Sequence, residues 1–189
     1  MRVIGGELRS RRLASVPGTE TRPTPDRLRE TLFNVLAPRI DGAVFVDLYA
    51  GTGAVGIEAI SRGAARAIFV ERGKAALDTL RSNITTLGLT KRAEVRQGKA
   101  VGLVDRMVRP TETCIVFLDP PYEMEQEYEL ILEKLAKDAP GLVIAQHSKR
   151  CKMKEGYGVL RRTRVIQQGD NTLSFYEPES TTADSPTPM

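Results

Sequence analysis

The chain has few of the residues that usually build metal centres and cross-links. Its 189 residues include two cysteines, Cys114 and Cys151, and one histidine, His147. The cysteines lie far apart and show no Cys-x-x-Cys spacing, so the sequence predicts neither a zinc site nor a disulfide framework. No apolar run is long enough to cross a bilayer, and the basic start lacks the apolar segment of a secretory signal. We therefore expect a cytoplasmic protein with no membrane contact and no bound metal.

Positive charge is concentrated at one end of the chain. Residues 1–39 hold eight arginines and four acidic residues, a surplus of four that equals the net charge of +4 for the whole chain. A surplus made only of arginine favours a surface that binds phosphates. A solvated basic face with no partner is the alternative. The arginines are Arg2, Arg9, Arg11, Arg12, Arg22, Arg27, Arg29 and Arg39.

Short apolar runs alternate with stretches of helical period from about residue 43 onward, which is typical of a parallel sheet covered by helices. The length fits one such domain with one active site. The predicted strands span residues 44–47, 67–71, 93–97, 114–118 and 142–146, and the predicted helices span 55–62, 74–87, 99–108 and 125–137.

The two ends of the chain depart from this alternation. Residues 158–167 and 172–176 have strand character and flank a turn-forming cluster, so the sheet should end in an antiparallel hairpin. Thr24, Pro25 and Asp26 predict a helix start, with a cap, a proline in the first turn and an early acid. We expect a basic hairpin or extension over residues 1–23, the catalytic domain over 24–177 and a disordered tail over 178–189.

A glycine-rich turn follows the first predicted strand. Gly51, Gly53 and Gly56 match the G-x-G-x-x-G pattern, and Glu71 follows at the end of the next strand, where a carboxylate accepts hydrogen bonds from ribose hydroxyls. Asp47 immediately precedes this turn. Its negative charge is unfavourable for a pyrophosphate but suits the cationic methionine end of S-adenosylmethionine. The pattern therefore favours S-adenosylmethionine over NAD, and a purely structural glycine turn is a third interpretation.

The strongest chemical signal is Asp119-Pro120-Pro121-Tyr122 at the end of a continuous apolar strand. In a doubly wound sheet this strand end lies beside the ligand crevice. The Asp119 carboxylate and the Pro120 carbonyl can accept the two hydrogens of an aromatic amino group and aim its lone pair. Tyr122 offers a flat face for an unstacked base. The alternative is a proline stop with an incidental acid and tyrosine.

Three weaker clusters lie near these motifs. The alternating acids Glu123, Glu125, Glu127 and Glu129 are more typical of a solvated helix face than of a metal site. His147 either borders the pocket or has a structural role. A second phosphate contact is predicted at Lys149, Arg150, Lys152 and Lys154.

With these motifs in place, the chain resembles the RsmD family, bacterial methyltransferases that modify guanine N2 in 16S ribosomal RNA. The resemblance lies in residues 2–6 with 11–13, in Arg22-Pro23-Thr24-Pro25-Asp26-Arg27 with the residues up to Asn34, in residues 47–64, and in Asp119-Pro120-Pro121-Tyr122. It implies a Rossmann-like, seven-stranded, mostly parallel sheet with a C-terminal antiparallel hairpin, and a basic N-terminal extension that binds 16S rRNA in a partly or fully assembled 30S subunit. A monomer is the simpler expectation for the oligomeric state.

The resemblance also implies the site residues. The catalytic residues would be Asp119, Pro120, Pro121 and Tyr122. The residues that bind S-adenosylmethionine would be Thr24, Asp47, Tyr49, Ala50, Gly51, Gly53, Glu71, Arg72, Lys99 and Ala100. The residues that bind RNA would be Arg2, Arg9, Arg11, Arg12, Arg22, Arg29, Lys149 and Arg150.

Three positions depart from the family pattern. Gly98-Lys99-Ala100 stands where an acid often binds the adenine amino group, Pro25 replaces a common threonine, and Gln146 stands where a glutamate is typical. We expect none of these differences to touch the Asp119–Tyr122 motif, so cofactor affinity should change more than activity.

The resulting prediction is a guanine-N2 methyltransferase acting on 16S rRNA. An amino methyltransferase acting on DNA adenine or tRNA guanine is a close alternative. Two alternatives come from other classes, namely an NAD-dependent oxidoreductase and a non-catalytic RNA-binding assembly factor.

Overall fold

A computed structural model describes residues 1–16 and 26–179, with only the backbone of Tyr122. Its eight strands form a single sheet in the order β3-β2-β1-β4-β5-β8-β7-β6. The first five strands of this order are parallel, and the last three run antiparallel to their neighbours. The strands are β1 Val44–Asp47, β2 Arg66–Glu71, β3 Ala93–Gln97, β4 Cys114–Leu118, β5 Leu142–Ser148, β6 Gly156–Tyr157, β7 Leu160–Gln168 and β8 Asn171–Pro178.

Five α-helices cover the two faces of the sheet. They are α1 Asp26–Leu36, α2 Ala54–Ser61, α3 Lys74–Thr86, α4 Ala100–Met107 and α5 Gln126–Leu135. A short 3-10 turn, Tyr122–Met124, precedes α5. Within the described ranges, no helix combines the length and the apolar character needed to span a bilayer.

The core is divided into two layers by the sheet. All five residues of β4 are buried, and they point alternately to the two faces, because successive side chains of a strand lie on opposite sides. Ile115 and Phe117 pack into the layer that includes residues of α1, α2 and α3, whereas Val116 and Leu118 pack into the layer formed with α4 and α5. Burial on both faces explains why the central strands are continuous apolar runs in the sequence.

The predicted architecture is confirmed, with one correction to the number of strands. The parallel sheet, the alternating helices and the C-terminal hairpin are all present, but the sheet has eight strands instead of seven. The additional strand is β6, two residues long, which pairs with the start of β7 at the edge of the sheet. A two-residue strand leaves no periodic signal in a sequence, because periodicity needs several residues to be recognised.

Several predictions fall on residues that the structure does not describe. Helix α1 begins at Asp26, while Thr24 and Pro25, the predicted cap and first-turn proline, lie outside the described residues, as does Arg22. The predicted tail over 178–189 falls outside them from residue 180 onward.

Residues 1–16 fold back on themselves and pack against α2 and α3. An antiparallel bridge joins Arg2 to Arg12. Buried polar side chains of the domain bind the backbone of this N-terminal segment: Glu58 accepts hydrogen bonds from the amides of Ile4 and Gly5, both at 2.8 Å, and Asn83 Oδ1 accepts one from Ala14, also at 2.8 Å. The segment is therefore attached by directed bonds as well as by apolar contacts.

Arg29 does not lie on an RNA-facing surface, contrary to the sequence prediction. Its side chain is fully buried between Glu58 and Asp26, and it donates a 2.7 Å hydrogen bond to the carbonyl oxygen of Arg2. The amphipathic pattern of α1 places Arg29 beside the apolar stripe, where the N-terminal segment covers it. Arg29 thus helps to hold that segment and is not available to bind phosphate.

Candidate active site

A crevice opens at the carboxyl ends of the parallel strands, between β1 and β4. The strand order reverses at this point, since β2 lies on one side of β1 and β4 on the other. In open α/β sheets, ligands bind at such a switch point. The residues that line the crevice come from the carboxyl ends of β1, β2, β3 and β4 and from the segments that follow these strands: Leu48, Tyr49, Gly51, Val70, Glu71, Arg72, Gly98, Lys99, Ala100, Asp119, Pro121, Met124 and Glu127.

The glycine-rich loop forms one wall of this crevice. Gly51 has a φ of 53°, in the left-handed region that favours glycine, and a β-carbon there would meet no atom within 4 Å. Its amide donates a 2.9 Å hydrogen bond to Glu71 Oε2, while Glu71 Oε1 accepts one of 2.6 Å from Gly73. Glu71 therefore joins the loops after β1 and β2, and each of its oxygens keeps a lone pair for a further donor.

The second and third glycines of the motif allow close packing behind the loop. Gly53 has a φ of 88°, and a β-carbon there would lie 2.4 Å from Leu80. At Gly56, inside α2, a β-carbon would lie 2.3 Å from the ring of Phe69 on β2. Gly53 thus lets the loop approach α3, and Gly56 lets α2 pack against β2, while neither glycine is among the residues that line the crevice.

A pair of Gly→Ala substitutions tests this packing role. Gly56→Ala should lower the free energy of unfolding by about 1–3 kcal/mol, because the new methyl group overlaps the Phe69 ring in a packed layer. At Gly102 in α4, an added β-carbon would meet no neighbouring atom within 4 Å. Gly102→Ala should therefore raise the free energy of unfolding by roughly 0.5–1 kcal/mol, because the unfolded chain becomes less flexible. Urea unfolding of both variants checks the pair. Equal effects in the two variants would contradict the packing role of Gly56.

Asp47 lies beneath the loop and does not line the crevice. Its side chain is buried, and Oδ2 accepts a 3.1 Å hydrogen bond from the amide of Gly56 at the start of α2. Burial raises the pKa of Asp47 to about 7, and the nearby charge of Glu71 acts in the same direction. Ala50 is likewise buried. A direct contact of Asp47, Ala50 or Gly53 with a cofactor stays a prediction.

Tyr49 and Glu127 close one side of the crevice. The Tyr49 hydroxyl donates a hydrogen bond to a Glu127 carboxylate oxygen. Burial is the main cause that raises the pKa of Tyr49, and this hydrogen bond is the second. Glu127 is half-buried at this position, so its assignment to a solvated acidic face was wrong. The alternation of acids in the sequence gives no sign of the hydrogen bond between Glu127 and Tyr49, because that contact depends on how α5 packs.

Charge in and beside the crevice is unbalanced toward the negative. Four carboxyl groups lie in its lining or directly behind it, whereas two basic side chains, Arg72 and Lys99, line it. The two basic side chains balance two of these groups, and Asp47 and Asp119 add negative charge as they ionise near pH 7, so the site suits a cation and disfavours a pyrophosphate. The arrangement therefore fits S-adenosylmethionine better than NAD. The carboxyl groups belong to Asp47, Glu71, Asp119 and Glu127.

The Asp119–Tyr122 loop reaches this same crevice. Asp119 and Pro121 line it, Pro120 is buried behind them, and the side chain of Tyr122 lies outside the described part of the structure. Burial raises the pKa of Asp119 to about 7, and the charge of Asp47 adds to that shift. The structure thus brings the predicted amino-group acceptor to the glycine-rich loop.

Gln146, at the carboxyl end of β5, contacts the chemical motif directly. Its side-chain amide Nε2 lies 2.8 Å from Asp119 Oδ2. The expectation that the departures from the family pattern leave this motif untouched is therefore wrong for Gln146. The sequence placed Gln146 at a strand end, but its neighbour across the sheet follows from the pairing of β4 with β5.

His147 has a structural role and does not line the crevice. Its Nδ1 lies 2.9 Å from the carbonyl oxygen of Ser148, so Nδ1 carries the proton, and Nε2 at 2.8 Å accepts the Ser174 hydroxyl. Burial lowers the pKa of His147. This imidazole therefore joins β5 to β8 in its neutral form.

The predicted RNA-binding residues occupy two places on the surface. Arg2, Arg9, Arg11 and Arg12 are all exposed on the N-terminal segment. Asn83 connects that segment to the glycine-rich loop, since its Nδ2 donates to the carbonyl oxygens of Ala14 at 3.2 Å and Thr52 at 3.0 Å. Lys149 and Arg150 are exposed after β5, and Lys149 forms a 2.7 Å ion pair with Asp170.

Comparison with known proteins gives consistent matches over most of the chain. A family model described as conserved hypothetical protein 95 matches residues 1–177. The Bacillus subtilis protein YlbH, provisionally named an rRNA methyltransferase, is 38% identical over 182 residues, which cover 94% of this chain and 98% of YlbH. Ribosomal RNA small subunit methyltransferase D of Escherichia coli is 43% identical over 122 residues, which cover 65% of this chain and 60% of that protein.

A solved structure has the same fold. The structure of yhhF from Escherichia coli, provisionally called a methyltransferase, aligns with a TM-score of 0.81 at 33% sequence identity. The alignment covers 95% of this chain and 98% of that one.

Proposed function

We propose a function for this chain from its membership of the RsmD family, whose model is described as conserved hypothetical protein 95. The chain transfers a methyl group from S-adenosylmethionine to the exocyclic N2 amino group of a guanine in 16S rRNA. The proposal rests on the observation that the chemical motif and the glycine-rich loop meet in one crevice. Asp119 and Pro121, after β4, line the same crevice as Gly51 and Glu71, after β1 and β2. A nucleoside cofactor held by the second pair would have its reactive end close to the first pair.

The residues of the crevice divide between holding the cofactor and orienting the base. Glu71 would accept ribose hydroxyls, Gly51 would allow close approach of the backbone, and the buried charge of Asp47 would favour the cationic end of the cofactor. Lys99 and Ala100, with Arg72, would border the adenine. When bound, S-adenosylmethionine supplies a methyl group whose bond to a sulfonium sulfur breaks as the amino nitrogen's lone pair forms the new bond.

Asp119 and the Pro120 carbonyl prepare the amino group. Each accepts one of its two hydrogens, which turns the nitrogen lone pair toward the cofactor and increases its electron density. After transfer, the nitrogen must lose one proton. The pKa of Asp119, about 7, allows its carboxylate to take that proton near neutral pH. Tyr122 would support the face of the base.

The substrate is proposed to be 16S rRNA within a partly or fully assembled 30S subunit, bound by a monomer. Residues 1–23 and the exposed cations after β5 are proposed to contact phosphates, and residues 24–177 are proposed to be the catalytic domain, which β8 extends to Pro178. The N-terminal segment carries four exposed arginines and is tied through Asn83 to the glycine-rich loop. Phosphate contacts there would orient the RNA relative to the crevice.

Labelling of ribosomal subunits tests the proposal. The protein is incubated with labelled S-adenosylmethionine and small subunits from cells that lack the endogenous enzyme, and the labelled RNA is digested to nucleosides for chromatography. We expect label in N2-methylguanosine. Label in a methylated adenosine would point to the related amino methyltransferases, and no label in 16S rRNA would refute the proposal. Calorimetry with S-adenosylhomocysteine and with NADH separates the two cofactor classes.

Replacing the exposed arginines of the N-terminal segment should weaken RNA binding. In an Arg9→Gln, Arg11→Gln, Arg12→Gln variant, the slope of log affinity against log salt concentration should become shallower by about one unit per phosphate contact removed. The measurement is a titration of labelled 16S rRNA at several salt concentrations. The exposed Lys137 on the opposite side of the sheet offers a matched control, since Lys137→Gln should leave the slope unchanged. Equal slopes in the triple variant and the wild type would contradict RNA binding by this segment.

A further inference from the structure

The side chain of Gln146 is held in an unusual way beside the crevice. It is 6% exposed, and its Nε2 donates a 2.8 Å hydrogen bond to Asp119 Oδ2. Within the described part of the chain this is the one hydrogen bond that Asp119 accepts. One carboxylate oxygen of Asp119 is thus engaged from behind, which leaves the other oxygen for a ligand in the crevice.

The other end of the same amide lacks a partner. Gln146 Oε1 is buried, and no described residue donates a hydrogen bond to it. A buried acceptor without a donor disfavours the folded state, and an apolar side chain of similar size would avoid that cost. Stability alone therefore gives no reason for an amide at this position.

The backbone of Gln146 is fixed without any help from its side chain. Its carbonyl oxygen accepts a hydrogen bond from the Tyr128 hydroxyl of α5, and β5 pairs with β8 in a register that sets Gln146 opposite Leu173. The side-chain amide consequently has no structural task in the strand, and it donates its hydrogen bond to Asp119.

We propose that Gln146 is a positioning residue for amino-group methylation: its amide fixes the carboxylate of Asp119 so that one oxygen faces the amino group of the target base. This inference rests on the function proposed above. A positioned donor from β5 restricts rotation of the carboxylate, and catalysis depends on such alignment within fractions of an ångström. It also favours the ionised carboxylate, which is the form that accepts amino hydrogens.

The charges around Asp119 make this donor important. Burial and the carboxylate of Asp47 on β1 raise the pKa of Asp119 to about 7, whereas a hydrogen bond donated by Gln146 stabilises the ionised form. Loss of the donor should therefore raise the pKa further. The other ionisable groups that line the crevice are Tyr49, Glu71, Arg72, Lys99 and Glu127.

The test compares pH profiles of methyl transfer to small subunits by the full chain. In the wild type, kcat should rise with pH as Asp119 ionises. In Gln146→Met, which keeps the length of the side chain and removes the donor, we expect kcat to fall by up to about a hundredfold and the rising limb to move to higher pH, with KM for S-adenosylmethionine close to the wild-type value.

A second variant keeps the proposal testable if Gln146→Met folds poorly. In Gln146→Glu, the new carboxyl group donates to Asp119 only while it is protonated, so the active form of the pair holds one shared proton. We expect its pH profile to become bell-shaped, with activity falling at high pH where the wild type reaches a plateau. A residue needed only for packing would not produce a new falling limb.

A matched control addresses the loss of a buried polar group on the same part of the sheet. Ser174→Ala removes the partner of His147 on β8 and should leave the shape of the pH profile unchanged. The proposal is overturned if kcat of both Gln146 variants depends on pH as it does in the wild type, whether or not kcat itself falls. Failure of the wild type itself to label 16S rRNA would instead overturn the proposed function.

Discussion

Replacing Asp119 with alanine is expected to lower the rate of methyl transfer by about a hundredfold to a thousandfold, the usual cost of removing one preorganised group that stabilises the transition state. The Asp119 carboxylate is the charged acceptor at the strand end that reaches the crevice, and alanine cannot accept an amino hydrogen. Single-turnover labelling of small subunits measures the rate of the chemical step without interference from product release.

Cofactor binding should survive this substitution. The groups expected to hold the nucleoside belong to the loop after β1 and to the end of β2, where Glu71 accepts hydrogen bonds from Gly51 and Gly73 independently of Asp119. The affinity for S-adenosylhomocysteine, measured by calorimetry, should therefore stay close to the wild-type value. Asp119→Asn retains the shape of the side chain and one acceptor oxygen, so its rate of methyl transfer should lie between those of the wild type and of Asp119→Ala. Wild-type turnover in Asp119→Ala would remove the basis for the proposed chemistry.

Replacing Glu58 with alanine is expected to lower the free energy of unfolding by about 3–5 kcal/mol, the range for breaking a buried ion pair by removing one partner. Glu58 is fully buried, accepts 2.8 Å hydrogen bonds from Ile4 and Gly5, and lies 2.7 Å from Arg62 and 3.8 Å from Arg29. Without Glu58, the buried guanidinium of Arg29 loses a counter-charge, although burial already lowers its pKa.

The measurement is urea unfolding, combined with limited proteolysis of the N-terminal segment. The segment should become sensitive to protease in Glu58→Ala, because two of its backbone amides lose their acceptor. Glu94→Gln serves as the control: Glu94 bridges Arg66 and Arg96 at the surface, so its loss should cost less than about 1 kcal/mol. Similar losses of stability in the two variants would argue against a structural role for the buried network.

Most strands and helices could be predicted from the sequence, because their signals are local. The bounds of β1, β3 and β4 agree with the prediction. Strands β1 and β4 are almost wholly buried and therefore form continuous apolar runs, whereas β3 lies at the edge of the sheet and alternates apolar and polar residues. Helix bounds agree with the prediction to within about two residues. The remaining differences arise because four of the helices start without a side-chain cap that would mark the first residue. The two-residue β6 carries no such local signal.

The two motifs of the site were also readable. Glycines at 51, 53 and 56 leave a pattern because only glycine tolerates the positive φ or the close approach that these positions require. The Asp119 loop stands out because a charged residue and two prolines end an apolar strand. The prediction that these motifs share a crevice followed from the strand order of doubly wound sheets.

What the sequence determined by itself is the set of elements, the glycine-rich loop and the chemical motif, since each depends on residues close together along the chain. Tertiary structure alone decided that Arg29 is buried with Glu58, that Glu127 bonds to Tyr49, and that Gln146 reaches Asp119. These contacts join residues from different elements, so they depend on strand order and helix packing. Local periodicity carries no information about a partner 27 or 78 residues away.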